Sequence, residues 1–344
     1  MWNPYYSFSL LTFCHHCFPF MTTRRSLMAK AAFLATSKEL TSDTSDDETI
    51  CFGFTGDIML GRGIDAILPY HVDGVLHESY MRNAKGYVEL AIKENGPLSQ
   101  DEINERGFNY IWGDLVETFE SVPNMMVVNL ETSLTTSDDY AKDKGINYRA
   151  HPLNARSLQV FGSDSIVTLA NNHVLDWGES GLLETLQTLD DAHIKYSGAG
   201  RNLDEAITPA TSLVKNKNVA VVAVGLSSAG VPMHWKADTN KSGVYVMDNE
   251  SVKNAVEIMK TFNESISDEA IKIVSIHMGP NWNPRIPENW RKFAHTLIDH
   301  GADIVIAHSS HHVKGIEVYR NKMISYGLGD FLNDYEGKWH PSNS

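Results

Sequence analysis

The chain has 344 residues, of which 42% are apolar, and a formal net charge of -14. That is enough apolar material for one large α/β domain or two small ones, while the charge argues against nucleic acid or anionic lipid as a partner. Three cysteines exclude a disulfide framework for a chain of this size, and no apolar run is long enough to predict a transmembrane helix.

Residues 1–48 read as a leader, either disordered or a weak targeting signal, which leaves a cytoplasmic and an exported location both open. Its aromatic-rich start is broken by Pro4 and Pro19, and the basic, acid-free stretch 22–35 follows. Cys14 and Cys17 have metal-like spacing but no second ligand pair. An acidic linker, Thr41–Glu48, precedes a folded domain expected over 49–344.

Ile50–Asp57 is the first core strand, with Cys51 packing inside it as a small hydrophobe. Residues 65–113 form an excursion with a helical stretch near Lys85–Glu94, long enough for a lid or substrate-side insertion. A short helix, Asp114–Ser121, leads into the strand Met125–Glu131, and a polar loop, Thr135–Gly145, follows. After the strand Ile166–His173, the helix Glu179–Ala192 carries Leu182, Leu183, Leu186 and Leu189 as its core stripe. Strands are then expected at Ile194–Tyr196 and Val219–Val224, a helix at Ser251–Phe262 and a strand at Ile271–His277. A helix at Pro287–His300, a strand entering the histidines of Ile304–His312, and a last strand at Met323–Tyr326 complete the pattern. Alternating strands and helices predict an α/β class with a parallel or mixed sheet.

Five of these apolar runs stop on groups that bind metals: Asp57, Glu131, Asn172 with His173, His277, and the cluster His308, His311 and His312. Ligands of open α/β sheets bind at the carboxyl ends of the strands, so the pattern predicts a metal centre at one sheet edge. Asp57, Glu131, Asn172, His277, His308 and His311 are the candidate ligands. Their mixed nitrogen and oxygen donors suit Mn, Fe or Zn better than Ca, as one ion or as a pair clamping an in-line displacement. Asp57 taken singly could equally be a turn or cap residue. His173 is placed to protonate a leaving group, and Asp176 either fixes its tautomer or caps the next helix. Arg62 is either a clamp for an anionic group or a surface salt bridge. His312 lies outside the ligand set or against substrate. Trp282, Trp290, Tyr326 and Phe331 read as packing.

The stretches Gly56-Asp-Ile-Met-Leu-Gly-Arg62, Asn129-Leu-Glu131, Ala170-Asn-Asn-His-Val-Leu-Asp-Trp-Gly178 and Gly198-Ala-Gly200 carry a resemblance. It continues through His277-Met-Gly279, Ala307-His-Ser-Ser-His-His-Val-Lys-Gly-Ile-Glu317 and Tyr326-Gly-Leu-Gly-Asp-Phe331. In that order they resemble the CapA/PgsA family, bacterial capsule and poly-γ-glutamate biosynthesis proteins related to the calcineurin-like metallophosphoesterases. The resemblance implies a four-layer α/β/β/α sandwich with mixed sheets. It makes Asp57, Glu131, Asn172, His277, His308 and His311 ligands of a divalent metal, and His173 a general acid. It implies a metal-dependent, phosphoesterase-like hydrolase acting on an anionic substrate, a phosphoester or poly-γ-glutamate. The alternative it leaves is a non-catalytic assembly, export or binding component with a vestigial metal site. Two departures stand out. Met59 occupies the position where phosphoesterases carry a histidine, and a thioether is a poor ligand for a hard ion, which puts one of two metal positions in question. The end at Ser344 falls where such domains usually continue, implying a further C-terminal piece.

Overall fold

The computed structural model describes residues 49–335 and, before them, the backbone strands Ser7–Phe13 and Ala32–Lys38. Those two strands pair antiparallel with each other, and the second pairs antiparallel with Ile50–Ile58. The rest of the expected leader, the Cys14/Cys17 pair, the acidic linker and residues 336–344 lie outside the described residues.

Two mixed sheets form the centre. The first runs in the order Ser7–Phe13, Ala32–Lys38, Ile50–Ile58, Met125–Leu130, Ile166–Thr168 and Lys195–Ser197, with Asp330–Leu332 also pairing parallel to Ile50–Ile58. The second runs in the order Ala210–Val214, Lys217–Leu226, Ile271–His277, Ile304–His308, Lys322–Ser325 and Ile316–Tyr319. Its inner four strands are parallel and its outer two antiparallel.

Strand alternation sorts the apolar side chains into three layers. Phe52, Phe54 and Val127 of the first sheet meet Val221, Ile273, Ile304 and Ile306 of the second in the middle layer. Met126, Val128 and Leu130 point the other way, onto Leu182, Leu186 and Leu189 of the helix Gly178–Asp191. Val222, Val224, Val274 and Ile276 likewise face Ile258, Phe262, Phe293 and Leu297 of the helices Val252–Ser265 and Glu288–Asp299. Each fully buried phenylalanine contributes about 1.5–3 kcal/mol relative to exposure. The result is the expected four-layer α/β/β/α sandwich.

Some local readings change. Leu183, expected in the core stripe, is exposed, because it sits one residue off the Leu182–Leu186–Leu189 face, about 100° around the helix. The strand entering Asn172 and His173 stops at Thr168, and a side-chain bracket replaces it. Asn171 Nδ2 donates to Leu130 O (2.8 Å) and Asn129 Oδ1 (3.1 Å), while its Oδ1 accepts from His173 N (3.0 Å). The excursion contains the helices Lys85–Asn95 and Gln100–Arg106. Its far end is pinned by buried Trp112, which packs on Phe119, Phe161 and Phe331.

Candidate metal centre

Sheet register brings the predicted side chains to one edge. Asp57 pairs with Asn129 on one side and Asp330 on the other, and His277 pairs with His308 in the second sheet. The sheets meet where His308 Nδ1 lies 3.1 Å from Asp57 Oδ1, an oxygen that also accepts from Asn129 Nδ2 at 2.8 Å.

One half of the centre is Asp57, His308, His311 and Asp330. His311 Nδ1 lies 2.6 Å from Asp330 Oδ1 and 3.7 Å from Asp57 Oδ2. Asp57, His311 and Asp330 each offer a ligand atom within 4.8 Å of the others, close enough to share one ion. The other half is Glu131, His277, Asn172 and His173. Glu131 Oε1 lies 3.6 Å from His277 Nε2 and 4.0 Å from His173 Nε2, and His277 Nε2 lies 3.0 Å from Asn172 Oδ1. Behind His173, Nδ1 lies 2.6 Å from Asp176 Oδ2. Lys144 Nζ donates to Asp176 Oδ1 and to the Asn172 carbonyl. Asp176 therefore orients His173, and Asp176 Oδ2 also accepts from Tyr148 N at 2.7 Å. It does not cap the following helix, whose N-cap residue is Trp177.

Electrostatics follow from this crowding of carboxylates and imidazoles. Burial opposes ionisation of Asp57, but the His308 hydrogen bond and the neighbouring histidines hold it below the usual carboxylate range. Burial, and then the Asp57 charge, pushes Glu131 well above that range. Burial lowers His277 to about 3 and His173 to about 4, in the latter case against the pull of Asp176. It also works against charge on His311, yet the Asp330 hydrogen bond and the Glu131, Asp330 and Asp57 charges raise that group to about 10. Three carboxylates crowded into one buried cluster thus favour positive charge beside them. Asp57 Oδ2, Glu131 Oε1 and His308 Nε2 are buried without a hydrogen-bond partner among the described residues. Orphaned buried acceptors are costly, and a divalent cation is the group that this donor set fits.

All six candidate ligands fall in the cluster, and His173 adjoins it. Arg62 does not join them. Its guanidinium donates from Nε and NH2 to Asp334 and from NH1 to Glu78 and the Tyr87 hydroxyl, all buried. It is a structural tie rather than an anion clamp or a surface salt bridge, because both of its carboxylate partners are inside the protein. Met59 is buried in the core, its sulfur accepting from Gly61 N at 3.1 Å. His312 turns aside, with Nδ1 3.1 Å from the Val313 carbonyl. Asp330 was not among the expected ligands. Its signal was present, since Gly329-Asp330 repeats the Gly56-Asp57 dipeptide after a short strand.

Residues 52–335 match the family described as bacterial capsule synthesis protein PGA_cap. The chain belongs to this capsule synthesis family. A probable polyglutamine synthesis accessory protein of Mycobacterium tuberculosis is 38% identical over 85% of this chain and 76% of its own length. The PGA biosynthesis protein CapA of Bacillus subtilis is 26% identical over 85% of this chain and 65% of its own. The capsule biosynthesis protein CapA of Bacillus anthracis is 25% identical over 67% of this chain and 56% of its own. This PGA_cap chain therefore carries every strand-end motif of its site inside the matched region. Among the described residues no helix is long and apolar enough to cross a membrane.

Proposed function

We propose that this PGA_cap protein is a divalent-metal-dependent hydrolase, phosphoesterase-like in its chemistry, that acts on an anionic substrate in poly-glutamate capsule biosynthesis. The observation that carries the reading is the buried cluster itself, whose orphaned Asp57, Glu131 and His308 atoms and imidazole–carboxylate contacts suit a cation. Asp57, His308, His311 and Asp330 would hold one ion, and Glu131, His277 and Asn172 a second. An ion there would supply Lewis acidity and acidify water near neutral pH. The role left open by Met59 passes to Asp330, a carboxylate that is a better partner for a hard cation than a thioether.

The protein's own groups handle the proton. With Nδ1 held by Asp176, His173 keeps one tautomer and presents Nε2 towards Glu131. Burial leaves the resting imidazole neutral, so Nε2 takes the proton given up by the attacking water and delivers that same proton to the leaving group. The aromatic ring of Tyr148, 4.1 Å from the His173 ring, shields this face from water.

The test is metal analysis of the purified protein, then hydrolysis of a generic phosphodiester and of γ-glutamyl oligomers with Mn. Chelation should abolish turnover and His173→Ala should lower it by about a hundredfold or more. Equal turnover in His173→Ala and wild type would remove the enzyme reading and leave the non-catalytic one.

A further inference from the structure

Of the four large aromatic residues read from sequence as packing, three are: Trp290, Tyr326 and Phe331 are buried. Trp282 is not; its side chain is 48% exposed. Trp290 packs beneath Gly279, where a Cβ would collide with its ring, and so belongs to the core. Trp282, in the same loop, faces the metal centre instead. Its ring lies 5.3 Å from that of His311, tilted by 35°.

The backbone is strained to hold it there. Trp282 has φ +59, and Ser309 and His311 opposite have φ +89 and +57. Bulky residues rarely adopt such angles, and they persist where the surroundings over-determine them, commonly at functional sites. Here the tie is Trp282 N, which donates to Ser310 O at 3.0 Å. Pro280, Pro284 and Pro287 narrow the loop's backbone freedom further. An indole that the core does not need is thus fixed against a histidine of the centre.

We infer that Trp282 is a substrate-stacking wall that takes the amide plane and adjoining methylenes of a γ-glutamyl unit whose carboxylate lies at the cluster. This rests on the poly-glutamate reading above. A polyanion approaching a chain of net charge -14 gains nothing from long-range attraction. A neutral indole face offers contact area without adding negative charge. In a γ-linked chain each α-carbon bears both a carboxylate and the amide nitrogen, so anchoring the first beside His311 brings the second within reach of the ring.

The experiment is titration calorimetry of the Mn-loaded full chain with a defined γ-glutamyl oligomer and with glutarate, which has carboxylates but no amide. Trp282→Ala should weaken the oligomer by about tenfold or more, Trp282→Phe should restore most of that loss, and glutarate binding should be the same in all three proteins. Mn affinity reports that each variant is folded. Oligomer binding unchanged in Trp282→Ala, or glutarate weakened as much as the oligomer, would overturn the wall while leaving the poly-glutamate reading intact. A wild-type protein that holds Mn but binds no oligomer sinks that reading, and the wall with it.

Discussion

Replacing Arg62 by methionine tests whether this side chain is a tie or a ligand clamp. Arg62, Glu78 and Asp334 each have side chains about 1% exposed. The arginine joins three distant parts of the chain: the turn after Asp57, the excursion through Glu78 and Tyr87, and the C-terminal segment through Asp334. Methionine keeps most of the volume but leaves both carboxylates without their cation. Breaking a buried pair by removing one partner costs about 3–5 kcal/mol, whereas an exposed pair is worth about 0–1 kcal/mol. Urea denaturation of the metal-free protein, read as a midpoint shift at constant slope, distinguishes the two. The pH dependence supplies a second signature. Burial already raises Asp334 while Arg62 pulls it down, so the variant raises it further. A carboxyl raised in the folded state contributes stability that is present below its unfolded value and lost as pH rises through the folded one. The deficit should therefore shrink as pH falls from about 8 towards about 5. A loss under about 1 kcal/mol, with weakened binding of an anionic ligand, would refute the tie and restore the clamp.

Two further outcomes follow from the cluster. Asp330→Asn should weaken Mn binding in calorimetry by about 10–100-fold, with Met59→His recovering none of it because the Met59 side chain lies in the core; unchanged affinity would remove Asp330 from the ligand set. In the metal-free protein His311 is raised to about 10, so its contribution is fully present below the ordinary histidine value and lost as pH rises through about 10. Stability measured from about pH 6 to about pH 10 should fall in wild type and be flatter in His311→Gln, and parallel curves would show that His311 carries no such proton.

Much of this protein is legible residue by residue. The apolar run at Val219–Val224 names its strand because burial on both faces favours continuous apolar residues, and Ile271–His277 is readable from its isoleucines and valine although Lys272 and Ser275 interrupt them. Asp57, Glu131 and His277 announce themselves because a polar group seldom ends such a run without a partner. The helix Gly178–Asp191 is readable from its leucines, though Leu183 shows that a stripe is an angle and not merely a count.

Pairing across the chain is another matter. Asp330 opens a strand of only three residues, Asp330–Leu332, and no periodicity marks it as a partner of His311. Arg62 meets Asp334 across 272 positions, and its neighbouring residues look the same for a clamp as for a tie. Trp282 and Trp290 sit eight positions apart in one loop-helix segment, yet one fills the space over Gly279 and the other stands against His311. Local sequence carries propensity and ligand chemistry, since these belong to each side chain and its immediate backbone. Which charges neutralise one another, and which aromatic ring is left at the mouth, follows from how two sheets pack face to face, because burial and proximity are properties of the assembled layers.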